Sequence, residues 1–198
     1  MRFRSPLVTD NGFWDTYRTV YPLLSLAYPD HLGNLVQGWL NSFREGGWLP
    51  SWASPGYRNC MVGTFADVVI ADAIVKRVPG FDLGVAVEAL MKDSFEAPPG
   101  SAGGAVGKEG LGAYASTKYV AFTQGGHDSV SRTLDYAFAD FAVAKAFKYL
   151  ASSKEYAASH HSVSPGALQG HAQALEERAN AAHDALYSPK HGLMVPKD

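Results

Sequence analysis

The sequence predicts an all-α protein built from antiparallel helical hairpins. Apolar residues recur at helical spacing along most of the chain, Gly and Pro interrupt these segments at short intervals, and no stretch alternates as a strand would. The 198 residues suit a single domain, and a hydrophobic fraction of 46% is ample for a core. A helix bundle and a closed ring of helix pairs both satisfy this pattern.

Seven helices follow from the periodicity. The first, over 15–27, contains Pro22, which predicts a kink or an early end there. The second, over 32–45, follows Asp30 as its predicted cap and stops at Gly46-Gly47. Five further helices with the same apolar spacing are expected over 64–76, 82–94, 131–150, 153–161 and 167–186.

One stretch interrupts the helical pattern. Residues 97–110, APPGSAGGAVGKEG, have low complexity and predict a flexible loop inside the domain, because helical spacing resumes directly afterwards. Its glycines do not follow a strand, so they are a poor match for a phosphate-binding loop. The helix over 131–150 differs from the others, because apolar rows on two sides predict packing between neighbours.

Composition argues against several classes of function. A net charge of −2 does not suggest a nucleic-acid or anionic-membrane partner. No run of about 20 apolar residues predicts a membrane span, and the first residues lack the apolar stretch of a signal peptide. The single Cys60 excludes an intrachain disulfide, and the His residues lack the spacing of a zinc site.

All four Trp residues fall within the first 52 positions. Trp39 lies on an apolar helical row and is predicted to be in the core, whereas Trp14, Trp48 and Trp52 lie in or near turns. Rigid aromatic faces pack on the C–H surface of sugars, while Asp, Arg and Asn bind the hydroxyl groups. The alternative is that these rings only fill the ends of helices, and the sequence leaves both interpretations open.

Several charged residues have a structural and a functional interpretation. Asp15 and Arg18 share a helix face, so they either pair with each other or Asp15 binds sugar hydroxyls while Arg18 holds it. Asp135 and Asp140 lie inside the helix predicted to pack on both sides, where a buried carboxylate needs a partner. Two other carboxylates are predicted as surface or capping charges, Asp67 and Asp72.

Four blocks of sequence occur together in an order that resembles glycoside hydrolase family 92. They read TDNGFWDTYRTVYPLLSLAYPD, GGWLPSWASPGYRNCMVGT, ADAIVK…GFD and SVSRTLDYAFADFAVAKA. The resemblance runs from about Thr9 to the tail HGLMVPKD, nearly the whole chain. Members of this family are calcium-dependent, exo-acting α-mannosidases.

The resemblance implies an (α/α)6 toroid, of which residues 1–198 form one partial catalytic-type domain, about half of the ring. It also implies a preceding β-sandwich domain, which this sequence does not contain. Family members hydrolyse terminal α-mannosides with inversion, which uses an acid and a base about 6.5–9.5 Å apart.

The resemblance also assigns roles to the residues of the opening block. Trp14 and Asp15 resemble the family's Trp-Asp pair in the pocket for the terminal mannose. Arg18 would orient Asp15 in this reading. Trp52 and Arg58 would complete the wall of the pocket.

Three family blocks are missing from this sequence. These are the acid Glu block, the Asn-Glu-Pro-Ser-His-His block and the Gly-Asn-Asp-Asp block, the last two of which carry the calcium ligands and the base. Calcium is therefore expected to bind outside this chain, and no metal site is predicted on it. Asp135 falls where many relatives have Glu, and Asp140 follows it on the same helix, but neither is assigned as the catalytic acid.

Two functions remain possible on this evidence. The chain is either the segment of an α-mannosidase that binds the terminal mannose, or an inactive relative that serves as a structural subunit or carbohydrate-binding module. The retained pocket residues favour the first, and the missing blocks favour the second. A mannose-containing glycan is the expected ligand, and a complementary chain or self-association is expected because a partial ring exposes apolar faces. Family members are usually secreted or periplasmic, and the sequence leaves the compartment open.

Overall fold

The computed structural model describes residues 7–125, 128–159 and 162–198, and this part of the chain is almost wholly helical. The α-helices are α1 Phe13–Thr16, α2 Val20–Ala27, α3 Pro29–Gly46, α4 Phe65–Val75, α5 Leu83–Phe95, α6 Leu111–Thr117, α7 Phe122–Gly125, α8 Ser129–Ser152, α9 Lys154–Ala158 and α10 Pro165–Leu186. A short antiparallel hairpin, β1 Tyr187–Ser188 and β2 Leu193–Met194, follows α10. The all-α prediction is confirmed, although the periodicity gave no sign of this hairpin.

The longer helices form three consecutive pairs, α2 with α3, α4 with α5, and α8 with α10. The first helices of these pairs, α2, α4 and α8, form a front row, in which α4 contacts α2 on one side and α8 on the other. The second helices, α3, α5 and α10, form a back row. There α3 contacts α5, and α5 meets α10 where the Phe95 and His171 rings lie 4.9 Å apart. The most extensive contact joins α8 to α10. None of the helices in the described ranges combines the length and the apolar character needed to cross a bilayer.

Helix α4 is the centre of the core. Its sequence FADVVIADAIV is apolar apart from Asp67 and Asp72, and all of its residues except Asp72 and Val75 are buried. A helix of this kind is stable only when most of its surface is covered. Next to it, Trp39 is fully buried and makes edge-to-face contacts with Phe13 and Tyr21, at ring separations of 4.8 and 5.2 Å. The prediction that Trp39 belongs to the core is confirmed.

Two predicted helix boundaries are wrong, and one is confirmed. The first helix breaks at 17–19 rather than at Pro22, which lies in the first turn of α2, where no N–H donor is required. Asp30 is not a cap, because α3 already begins at Pro29. Gly47 ends α3 as predicted, with a left-handed φ of 80° and its N–H donated to the Phe43 carbonyl.

The segment 97–110 is attached to the core through its second half. Ser51 donates its backbone N–H to the Ala105 carbonyl at 3.1 Å, and Val106 pairs with Pro50 in an isolated bridge. Val106 and Lys108 are both buried. This half of the segment therefore inserts a lysine between the helices, which its low complexity did not indicate.

Candidate functional site

The segments that carry Trp14 and Trp52 lie side by side at one end of the front row. Asn11 and Ala53 exchange two backbone hydrogen bonds, with N···O distances of 2.8 and 3.2 Å. The Arg58 N–H also donates to the Trp52 carbonyl at 2.9 Å, which folds the second segment back on itself. Two stretches about 40 positions apart in the sequence therefore form one local unit.

Gly12 allows the Trp52 ring to approach this unit closely. A Cβ atom at Gly12 would lie only 2.2 Å from the Trp52 indole, so no other residue fits without moving the ring. Trp14 follows two positions later, and both indoles are partly exposed. The contact fixes the position of the Trp52 ring relative to the start of α1.

Two hydrogen bonds connect α1 and the start of α2 to the residues that precede α1. The Tyr21 hydroxyl donates to the Asn11 side-chain oxygen at 2.6 Å, and the Thr16 hydroxyl donates to the Gly12 carbonyl at 2.9 Å. Burial raises the pKa of Tyr21 to about 12, so its hydroxyl stays protonated and remains a donor at physiological pH. These bonds tie the Asn11–Ala53 pairing to the start of α2.

Arg18 contacts Trp14 rather than Asp15. Its guanidinium lies 4.5 Å from the centre of the Trp14 ring and 4.7 Å from that of Tyr17, and its Nε donates to the Trp14 carbonyl at 3.2 Å. No ion pair joins Asp15 to Arg18 in the described part of the chain, and the Asp15 side chain is exposed. Arg18 therefore orients an indole in this structure, through a cation–π contact.

Asp135 lies near the same end of the front row. The Asp135 Cβ lies only 3.2 Å from the position that a Cβ at Gly63 would take. Gly63 comes two residues before α4 and has a positive φ of 91°. Tyr17 stacks on Phe65 at the start of α4, with ring centres 4.1 Å apart. Burial raises the pKa of Asp135 to about 6, and the nearby Arg18 charge partly offsets that rise. Asp135 is thus a half-buried carboxyl whose pKa lies above its ordinary value.

Asp140 belongs to a different, fully buried cluster. Arg178 binds both of its carboxylate oxygens, at 2.6 and 2.9 Å, and the Tyr114 hydroxyl donates to it at 2.8 Å. Lys108 Nζ lies 3.5 Å from the same carboxylate. Because every one of these contacts is inside the protein, the surroundings of Asp140 favour a structural role over that of an acid meeting a substrate.

Lys108 extends the cluster towards α4 and α5. Its Nζ lies 3.4 Å from the Asp67 carboxylate and donates to the Asp93 carbonyl at 3.1 Å. Asp67 is fully buried, so its prediction as a surface or capping charge is wrong. Burial first, and then the neighbouring Asp67 charge, raise the pKa of Asp93 well above its usual range.

The charges of the cluster balance if Asp93 holds its proton. Lys108 and Arg178 then lie against the carboxylates of Asp67 and Asp140, which is the pairing that buried charges require. Burial raises the pKa of Asp67, and the Lys108 charge partly offsets that rise. No local pattern indicated Lys108, Asp93 or Arg178, because their partners come from distant parts of the chain.

The described residues do not provide a metal site. Within them, no group of three or more His, Cys, Asp or Glu side chains could hold a metal ion. His160 and His161 lie outside the described residues.

The chain can now be compared with known proteins. Residues 4–198 match the family described as the glycosyl hydrolase family 92 catalytic domain. The paired helices are thus part of a glycoside hydrolase catalytic domain. The chain belongs to glycoside hydrolase family 92.

Solved structures of this family have the same fold. An inverting mannosidase of the family from Bacteroides thetaiotaomicron is 33% identical, with a TM-score of 0.80 over 96% of this chain and 23% of its own. An α-mannosidase of the family from the same organism, solved with mannoimidazole, is 27% identical with a TM-score of 0.76, over 94% of this chain and 21% of its own. The helical hairpins thus form part of an (α/α)6 toroid, as predicted.

A curated relative points in the same direction. An uncharacterised secreted glycosidase from Arthroderma benhamiae is 32% identical over 127 residues, which cover 59% of this chain and 16% of that protein. This chain spans less than a quarter of the length of each of these three proteins.

Proposed function

We propose that this chain forms the part of an α-mannosidase catalytic domain that binds the terminal mannose of a glycan. The observation that supports this most is the backbone pairing of Asn11 with Ala53, which brings the Trp14 and Trp52 segments together. Two partly exposed indoles and the exposed Asp15 carboxylate then belong to one local unit. Two structural neighbours are mannosidases, and one of them was solved with mannoimidazole.

Each residue of the unit has a role that follows from its chemistry. The indoles of Trp14 and Trp52 offer flat faces for the C–H groups of the sugar ring. Asp15 accepts hydrogen bonds from two neighbouring hydroxyls, and Arg58 donates to a third from the second segment. Arg18 acts indirectly, because its guanidinium holds the Trp14 ring from one side.

Hydrolysis with inversion requires a protonated acid and an ionised base on opposite sides of the sugar, about 6.5–9.5 Å apart. Burial raises the pKa of Asp135 to about 6, as a general acid requires, but this shift alone does not place its carboxyl opposite a base. We infer that this chain contributes binding, and that the acid and the base come from the family blocks missing from this sequence. The calcium ligands are expected in those same blocks.

Mannose binding tests this proposal. Asp15→Asn and Trp52→Ala should each weaken the binding of mannose or mannoimidazole by about 1–3 kcal/mol, because buried sugar hydroxyls lose their partner or the ring loses its platform. Asp184→Asn is the matched control, since that carboxylate is almost fully exposed on α10. Isothermal titration calorimetry measures all three. Equal affinities for Asp15→Asn and the control would contradict the proposed pocket.

The isolated 198-residue chain should release no mannose from an aryl α-mannoside, with or without added calcium. The physical reason is that cleavage of the glycosidic bond needs a placed acid and a placed base, whereas binding needs neither. Release of the aryl group is followed by absorbance over a long incubation. Sustained hydrolysis that is lost in Asp135→Asn would show instead that Asp135 acts as the acid.

A further inference from the structure

The Gly-rich segment between α5 and α6 lies directly against the stretch that carries Trp52. Val106 pairs with Pro50 in an isolated antiparallel bridge. The Ser51 N–H donates to the Ala105 carbonyl at 3.1 Å, and Trp52 is the next residue along the chain. The backbone of the Gly-rich segment therefore fixes the chain immediately before an indole of the candidate pocket.

Two glycines of this segment allow the close contact. A Cβ atom at Gly104 would lie 2.7 Å from the Asn59 side-chain amide, and one at Gly107 would lie 2.9 Å from the Trp48 ring. Both glycines also have a positive φ, of 78° and 60°, which other residues rarely adopt. The Gly-rich segment and the Trp52 stretch therefore meet at several points between Trp48 and Asn59.

Lys108 attaches the Gly-rich segment to three helices. Among the side chains of this segment, only those of Val106 and Lys108 are buried. The Lys108 ammonium lies 3.4 Å from the Asp67 carboxylate on α4 and 3.5 Å from the Asp140 carboxylate on α8. It also donates to the Asp93 carbonyl on α5 at 3.1 Å. Glycine gives a chain high conformational freedom, so one side chain held by three helices restricts this segment strongly.

We propose that Lys108 is a positioning residue for the candidate mannose pocket: its buried ammonium holds the Gly-rich segment, and this segment holds the Trp52 ring in place. Lys108 is fully buried, so it acts on a sugar only through Trp52. The pairing of Asn11 with Ala53 holds the chain after Trp52, and the Gly-rich segment holds the chain before it. The effect on mannose binding rests on the proposed function, whereas the effect on the position of Trp52 does not.

The Trp52 stretch also has an attachment that does not involve Lys108. The Tyr57 hydroxyl donates to the Ser42 carbonyl on α3 at 2.6 Å. Loss of the Lys108 contacts should therefore displace Trp52 without releasing the whole stretch from the helices. A binding group must stay within about 0.5 Å of its productive position, so a small displacement is enough to weaken sugar binding.

The test follows the Trp52 ring and sugar binding in the same protein. The 198-residue chain is labelled with fluorotryptophan, and the fluorine NMR signal of Trp52 is assigned by its loss in Trp52→Phe. Lys108→Met should shift or broaden this signal, because the Gly-rich segment is no longer held from three helices. Calorimetry should show mannoimidazole binding weakened at least about tenfold, because the platform for the sugar is displaced.

Two further variants separate positioning from a general loss of stability. Adding Asp67→Asn to Lys108→Met removes the unpaired carboxylate but restores none of the ammonium contacts, so the Trp52 signal and the affinity should stay changed while stability recovers in part. Leu168→Ala opens a cavity at a fully buried position on α10, about 15 Å along the helix from Arg178 of the cluster. It should lower stability and leave both readouts as in the unsubstituted chain. Circular dichroism confirms that the variants retain their helices.

Four results would overturn the proposal. The first is a Trp52 signal that Lys108→Met or, if that variant does not fold, the double variant leaves unchanged. The second is a displaced signal with unchanged affinity. The third is recovery of the signal and the affinity together with stability in the double variant, and the fourth is an equal change in Leu168→Ala. An unsubstituted chain that does not bind mannoimidazole would contradict only the proposed function, because the Trp52 signal still tests the role of Lys108.

Discussion

Lys108→Met is the substitution that tests the buried charge cluster most directly. Methionine has a similar length and removes only the ammonium group and its contacts. Lys108 Nζ is the cation closest to Asp67 among the described residues, at 3.4 Å, whereas Asp140 keeps its two bonds from Arg178. The substitution therefore leaves one fully buried carboxylate, Asp67, without a cation beside it.

The expected cost follows from that single unpaired charge. Removing one partner of a buried ion pair destabilises a protein by about 3–5 kcal/mol. Whole domains are stable by only about 5–15 kcal/mol, so the loss is a large fraction of the total. Protonation of Asp67 relieves the unpaired charge, so the loss should be smaller at pH 4.5 than at pH 7. For the same reason, adding Asp67→Asn to Lys108→Met should restore part of the stability.

Urea unfolding followed by circular dichroism measures these differences. Lys145→Met is the matched control, because that lysine pairs with Glu176 on the surface at 3.0 Å and should cost at most about 1 kcal/mol. A loss below 1 kcal/mol for Lys108→Met would refute the reasoning. So would a double variant that is no more stable than Lys108→Met alone.

Two further predictions concern single positions. Asp135→Asn should remove a pH dependence of the free energy of unfolding. The native carboxyl binds its proton more tightly than the unfolded one, so the unsubstituted chain loses stability as the pH rises from about 4 to about 6. The same dependence of stability on pH in both proteins would contradict this. Gly33→Ala should destabilise the fold by about 1–3 kcal/mol, since its Cβ would lie 1.8 Å from the Pro79 carbonyl oxygen. Gly170→Ala, in open space on α10, should stabilise it by about 0.5–1 kcal/mol, and a loss of stability there would count against the helix as described. Thermal unfolding followed by circular dichroism measures both glycine variants.

Local patterns in the sequence were sufficient to find the longer helices, but they did not predict the short α6 and α7 or the break between α1 and α2. The spacing of apolar residues placed α3, α4, α5, α8 and α10 within a few residues of their ends, because helical periodicity depends only on near neighbours. Asp82 caps α5 by accepting from the Val85 N–H, and Gly47 ends α3 in the left-handed conformation. Both are effects of a residue on its own turn.

Interactions between distant residues could not be predicted in this way. Lys108 lies in a Gly-rich segment that resembles a flexible loop, and its partners Asp67, Asp93 and Asp140 are on three different helices. No local pattern reveals a lysine whose environment is assembled by tertiary packing. The prediction of Asp67 as a surface or capping charge fails for the same reason, because its burial depends on distant parts of the chain.

In the candidate site, too, the local features could be predicted from the sequence and the contacts between distant residues could not. The pairing of Asn11 with Ala53 joins two stretches that the sequence marked separately as rich in aromatic residues. The position of Arg18 could not be decided from spacing, because both Asp15 and Trp14 are within reach on a helix, at three and four residues. The structure selects Trp14, where the ring contact and the bond to the Trp14 carbonyl act together.

The burial of α4 has a consequence for how this chain folds during synthesis. Helix α4 is covered largely by α8, and 77 residues separate Val75, the last residue of α4, from Ser152, the last residue of α8. At about 5–20 residues per second, the ribosome takes roughly 4–15 s to make that stretch. During this interval much of the apolar surface of α4 has no permanent cover, and exposed surface of this kind is prone to aggregation.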